Sequence, residues 1–179
     1  TWGYCPADRD FKSARTIIHT LCEVAGKGGN LLLNVGPMAD GGLQPEFTER
    51  LAVIEGWMAR NGESIVGTTP GLEPWQHYGP STQRDGRVYV HLLSRPYDAI
   101  SVRGVRTKRV KAVTALSNDT TLAFTTRTSL IDQFLNPDPL GEITIAVPEA
   151  SIDANATVIA LSCWPVRSSA SKPWPERRT

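Results

Sequence analysis

Lys27-Gly28-Gly29-Asn30-Leu31-Leu32-Leu33-Asn34-Val35-Gly36-Pro37-Met38-Ala39-Asp40-Gly41 is the stretch on which the reading of this chain turns. Its apolar core, Leu31 to Val35, is broken only by Asn34 and lies between a glycine pair and a Gly-Pro stop. That is too short for a helix and predicts a buried strand. The two-residue period puts Leu31, Leu33 and Val35 on one face and Asn30, Leu32 and Asn34 on the other. Aliphatics outward against helices and amides inward near a mouth suit a strand of a parallel barrel. The glycines do not make a phosphate loop, because Lys27 is followed by Gly rather than Ser or Thr and lacks the earlier glycine.

Helical patterns flank this strand. Ala14, Ile17, Ile18, Leu21, Cys22, Val24 and Ala25 recur at helical spacing after Asp8-Arg9-Asp10, which offers an N-cap and first-turn negative charge. Gly26 or Gly28 ends that helix, with Lys27 complementing its C-terminal dipole. A second helix is expected from Pro45, with Glu46 and Glu49 near its start, Phe47, Leu51, Ile54, Trp57 and Met58 buried, and Asn61-Gly62 closing it. Helix, strand, helix is an α/β pattern.

From Gly67 to Pro80 the chain turns rich in Gly, Pro and Thr, and the domain boundary is placed there. Beyond it the period falls to two. Val88, Val90 and Leu92 alternate with Tyr89, His91 and Leu93, and Ile143, Ile145 and Val147 with Glu142, Thr144 and Ala146. Further strands are expected at 99–103, 109–116, 121–126 and 157–162, with turns at Asp85-Gly86, Ser117-Asn118-Asp119 and Asn136–Pro139, which together read as an antiparallel sandwich. Residues 167–179 read as a flexible tail.

The fold class is therefore α/β plus all-β. Residues 1–68 are the last helix–strand–helix segment of a (β/α)8-like barrel, and residues 69–166 an antiparallel β-sandwich. One parallel strand cannot form a sheet by itself, and a whole barrel takes about 250 residues. With Thr1 opening inside what reads as a motif, the start is taken as a cut end and the barrel as incomplete.

The 179 residues carry 19 basic and 18 acidic side chains, a balance that points to neither nucleic acid nor an anionic membrane. No apolar run approaches the ~20 residues of a membrane span. Cys5, Cys22 and Cys163 have neither disulfide-framework nor zinc spacing. His19, His77 and His91 have no second ligand at metal spacing and are read as structural or exposed.

Trp2-Gly3-Tyr4, Lys12-Ser13-Ala14, Lys27 to Pro37, Ala39-Asp40-Gly41, Glu49-Arg50-Leu51, Trp57 and Asn61-Gly62-Glu63-Ser64-Ile65 resemble, in order and spacing, the C-terminal third of the α-L-fucosidases of glycoside hydrolase family 29. Glu55, Val66 and Met38 depart from that pattern, away from the chemistry. The resemblance covers residues 1–68 and implies a retaining exo-glycosidase that releases terminal α-L-fucose with two carboxyl groups, one a nucleophile and one an acid/base. In the family the nucleophilic Asp lies on an earlier barrel strand and the acid/base Glu upstream of Trp-Gly-Tyr, so no residue of this chain is carried over as catalytic.

Two residues are candidates for substrate binding. Trp2, expected at the barrel mouth, either stacks on the fucose or packs its own loop. Asn34 either contacts the sugar or ties adjacent loops together. Asp40-Gly41 reads as a turn, and Glu46, Glu49, Glu55 and Glu63 as a solvated helix face. The partners implied are a fucosylated oligosaccharide or glycoconjugate, and the remaining barrel or another copy of the chain. No cofactor, metal, nucleic acid or membrane is expected. The competing reading is a non-catalytic remnant whose β-sandwich folds and binds carbohydrate or a partner chain.

Overall fold

The structure is a computed structural model and describes residues 3–163; the expected tail at 167–179 lies outside the described residues. Helix α1 spans Ala14–Gly26. Its N-cap is Ser13, in extended backbone, whose Oγ accepts the Thr16 N–H at 3.0 Å. The cap expected at Asp8–Asp10 is thus displaced: Asp8 Oδ1 accepts the Asp10 N–H at 3.0 Å and closes a local turn before the helix begins. At the other end Gly28 adopts φ +75°, and the Gly28 and Gly29 amides bond back to Ala25 and Val24 at 2.9 Å, the left-handed exit that glycine allows. Helix α2 spans Pro45–Asn61 with proline in its first turn, as the sequence predicts.

The two helices run in the same sense. Near their starts, Phe11 meets Phe47 edge to face with ring centroids 5.5 Å apart, and the Arg50 guanidinium donates to the Lys12 carbonyl at 2.7 Å. Near their ends, Gly26 lies against Pro80 and Ser81, and the Ser64 carbonyl accepts the Thr82 hydroxyl at 2.6 Å. Successive helices of a hairpin would run oppositely; parallel ones need an extended return between them.

That return is Leu31 to Val35, and here the expectation is corrected. The segment is neither buried nor part of a ladder: Leu32 is 90% exposed, Leu33 42%, and no strand is assigned between 27 and 38. A strand is held in a sheet by ladders on its flanks, and neither sheet of the described residues includes this segment. The alternation survives in part, with Leu31 and Val35 half-buried on the helix side of exposed Leu32.

The rest is β. Strands β1 (Thr69–Pro70), β2 (Ser81–Arg84), β3 (Arg87–Leu92), β4 (Ala99–Arg106), β5 (Val110–Ala115), β6 (Thr120–Thr121), β7 (Phe124–Arg127), β8 (Leu140–Ala146) and β9 (Thr157–Cys163) form two antiparallel sheets. Their orders are β1-β2-β3-β9-β5-β6 and β4-β8-β7. β2 and β3 join through Asp85-Gly86, both at positive φ, the two-residue turn that matches strand twist. A six-residue helix, α3 (Leu130–Leu135), links β7 to β8.

Alternation sorts the core into two layers. Val90, Leu92, Val113, Ile159 and Leu161 of the larger sheet meet Val102, Ile143 and Ile145 of the smaller one. The opposite face of β3 and β9, with Tyr89, Val158 and Ala160, packs under Ile18, Cys22 and Trp57 of the helices. Trp57 is fully buried and its indole N–H donates to the Ala156 carbonyl at 2.8 Å. Helices, large sheet and small sheet thus stack as three layers, mostly β with few helices.

Candidate functional site

The loops that enter the two helices, residues 3–13 and 33–44, lie side by side and enclose a cavity of about 170 Å³. Its floor is apolar: Leu33 and Val35 face Ile17 of α1 and Phe47, Leu51 and Ile54 of α2. This is the gap between the extended segment and its helices. Its polar residues are Asn34, Asp8, Asp10, Lys12, Gln44 and Arg50.

Each of these groups is positioned by local structure. Gly36 lies against the Gly3–Tyr4 backbone, where a Cβ would stand 2.6 Å from Tyr4 N, so only glycine lets the two loops cross. Arg50 donates to the Lys12 carbonyl at 2.7 Å and the Glu46 carbonyl at 2.8 Å, with its guanidinium 5.4 Å from the Phe11 ring centroid. It therefore fastens the loop before α1 to the first turns of α2. Arg9 pairs with Glu46 at 3.8 Å.

The carboxylates here hold turns and helix ends. The Asp10 amide bonded to Asp8 keeps the Asp8 carboxyl below its ordinary range, the opposite of what a general acid requires. Asp40 accepts the Gly42 N–H at 2.9 Å, the turn expected of Asp-Gly. Glu63 pairs with Arg87 at 3.0 Å.

Of the two candidate substrate-binding residues, Trp2 lies outside the described residues. Asn34 borders the cavity and is exposed. The histidines fall elsewhere: His19 bonds the Asn155 carbonyl at 2.8 Å, and His77 and His91 are buried beside β2 and β3. Cys5, Cys22 and Cys163 are free thiols, and burial pushes Cys22 up to about 12. The residues that sequence reasoning passed over are Phe11 and Arg50. Arg50 stands inside a quoted motif, and Phe11 directly before Lys12-Ser13-Ala14, so their positions carried a signal that their types alone did not.

The family model for α-L-fucosidases matches residues 1–63. The tissue α-L-fucosidase of Homo sapiens is 34% identical over 105 residues, 56% of this chain and 22% of that protein. That of Rattus norvegicus is 28% identical over 162 residues, 83% of this chain and 31% of that protein. Among solved structures, α-L-fucosidase isoenzyme 1 from Paenibacillus thiaminolyticus superposes with a TM-score of 0.74 at 32% identity, covering 92% of this chain and 38% of that one. The Thermotoga maritima α-fucosidase in complex with a mechanism-based inhibitor gives 0.68 at 25% identity, covering 89% and 37%. Motifs and fold together are those of a glycoside hydrolase family. By sequence over residues 1–63 and by fold over most of its length the chain is similar to α-L-fucosidases, and it spans about a third or less of the curated relatives just named.

Proposed function

We propose that this chain is the C-terminal portion of a retaining α-L-fucosidase, acting on fucosylated oligosaccharides or glycoconjugates. Residues 1–68 form the end of its catalytic barrel and residues 69–166 its β-sandwich. The observation that carries this reading is the pair of parallel helices joined by an extended, exposed apolar segment that lies in neither sheet. Such a unit closes when strands from the rest of a barrel pair on both sides of Leu31–Val35. The loops at the helix starts then lie at the C-terminal mouth, where barrels hold substrate, with Asn34 and Trp2 lining the fucose pocket.

The chemistry asks for two carboxyl groups flanking the glycosidic bond. The carboxylates around the described loops are engaged in turns and ion pairs, which supports a nucleophile and an acid/base supplied by residues outside this chain. This chain's share is the mouth: Arg50 fixes the loop that carries the Trp2 motif relative to α2, and Gly36 locks that loop against the segment carrying Asn34.

Hydrolysis of a chromogenic α-L-fucoside tests the assignment. The purified 179-residue chain should give no turnover above buffer, whereas the polypeptide extended by its upstream coding sequence should be active. Turnover by the 179-residue species alone, with mass confirming no co-purified partner, would overturn the division of labour. No turnover from the extended polypeptide on any α-L-fucoside would instead favour the non-catalytic module.

A further inference from the structure

Helix α3 presents its apolar residues to solvent. Leu130 is 73% exposed, Ile131 68%, Phe134 87% and Leu135 80%. At 100° per residue these four share one continuous face of the helix, with Asp132 and Gln133 on the other. No residue of α3 is buried, and every residue from 130 to 137 is exposed. The helix therefore stands out from the sandwich as a wedge. A contiguous apolar face of this kind is left open only where something covers it.

Its rim is basic. Arg127 ends β7 three residues before the helix, and Lys108 donates to the Pro137 carbonyl just beyond it at 3.2 Å. Arg106 and Arg109 reach the same loop, sharing Asp138 at 3.2 Å and 2.7 Å. Four cations thus lie about the wedge against three carboxylates, Asp132, Asp138 and Glu142, the last directly across the ladder from Arg127. The chain's overall balance conceals this local excess, because the acidic residues concentrate elsewhere.

Charge discriminates between occupants. A second copy meeting this one about a two-fold axis would set the patch against itself and bring like charges together. An anionic surface meets the rim with opposite charge. A convex wedge of Leu, Ile and Phe also fits beneath lipid headgroups better than into a flat protein face. We propose that α3 and its basic rim dock this chain onto an anionic lipid surface, the four apolar side chains entering the headgroup layer while Lys108 and Arg127 engage the lipid phosphates and carboxylates.

Sedimentation of the purified 179-residue chain with phosphatidylcholine vesicles, with and without phosphatidylserine, tests this. Binding is expected on the phosphatidylserine vesicles alone and should fall as salt rises. Phe134→Ser should weaken it by on the order of tenfold or more. Because Phe134 is exposed, an unchanged far-UV spectrum keeps that variant informative, and Lys108→Glu should weaken binding without touching the wedge. Equal sedimentation with both vesicle types, or binding indifferent to both substitutions, would overturn the proposal. So would a dimer by light scattering that Phe134→Ser dissolves, which would assign the face to a second copy. Binding seen only after removal of residues 164–179 would assign it to the chain's own terminal segment.

Discussion

His91 shows how hydrogen-bond geometry fixes a protonation state. The Thr82 hydroxyl has one proton and donates it to the Ser64 carbonyl at 2.6 Å. At its 3.1 Å contact with His91 Nε2 it must therefore accept, which places the ring proton on Nε2 and leaves Nδ1 a bare, buried lone pair. His77 nearby also has a buried Nε2 without a partner. Desolvation, and then the neighbouring His77, push His91 down to about 4, and burial lowers His77 in the same direction. A histidine depressed in the fold takes up its proton more readily when unfolded, so its stabilisation is complete above pH 6.5 and is lost as pH falls toward 4. Linkage at about 1.4 kcal/mol per pH unit makes this worth about 3 kcal/mol over that window. Denaturant midpoints measured from pH 7 to pH 4 should fall accordingly, and His91→Leu should flatten the slope. An unchanged slope in that variant would remove His91 from the acid response.

At the scale of elements, the sequence was most readable where periodicity and burial agree. Both helices lie where Ile18, Cys22 and Trp57 recur at helical spacing, and β3, β8 and β9 where aliphatics alternate. Strand β2 was invisible because Ser81, Thr82, Gln83 and Arg84 are polar; its two buried members are held by hydrogen bonds, Thr82 to His91 and Ser81 to the Leu72 amide at 2.7 Å. Helix α3 escaped because its apolar face points outward, so it lacks the one-sided burial that a pattern search detects. The cap of α1 was misplaced because Asp8 and Ser13 are both good caps, and only the position of the turn decides between them. Of the cavity, the sequence reading singled out Asn34, which borders it, and not the Phe11–Arg50 clamp, since a cation over a ring joins residues far apart in sequence.

Trp57 is the joint between the helical layer and the large sheet. Trp57→Ala should cost about 3–5 kcal/mol, seen as a lowered thermal midpoint. Trp57→Phe, which keeps most of the packing and loses the bond to Ala156, should cost clearly less. Equal losses in the two would mean that the hydrogen bond, and not the packed volume, joins the layers.

For the whole molecule, the decisive contrast is between a sandwich with a closed core and a helical edge that is open on one side. The two sheets bury Val102, Val113, Ile143 and Ile145 completely. Leu32, by contrast, is left bare in the segment that joins the two helices. A sequence pattern carries the strand but not its neighbours, which is why the burial expected for Leu31, Leu33 and Val35 failed, although Leu33 and Val35 both border the cavity beside the helices. The proposal that this chain supplies the mouth of a catalytic unit, and other residues the reacting carboxylates, is built on the three layers, the matched motifs of residues 1–63 and the parallel helices.

The most direct test is to trap the nucleophile. A 2-fluoro-fucosyl fluoride should leave a stable glycosyl-enzyme on the upstream-extended polypeptide, which peptide mapping by mass spectrometry can locate. The labelled carboxylate should map outside residues 1–179, and the 179-residue chain alone should take no label. A label on Asp8, Asp10 or any other carboxylate of this chain would contradict it.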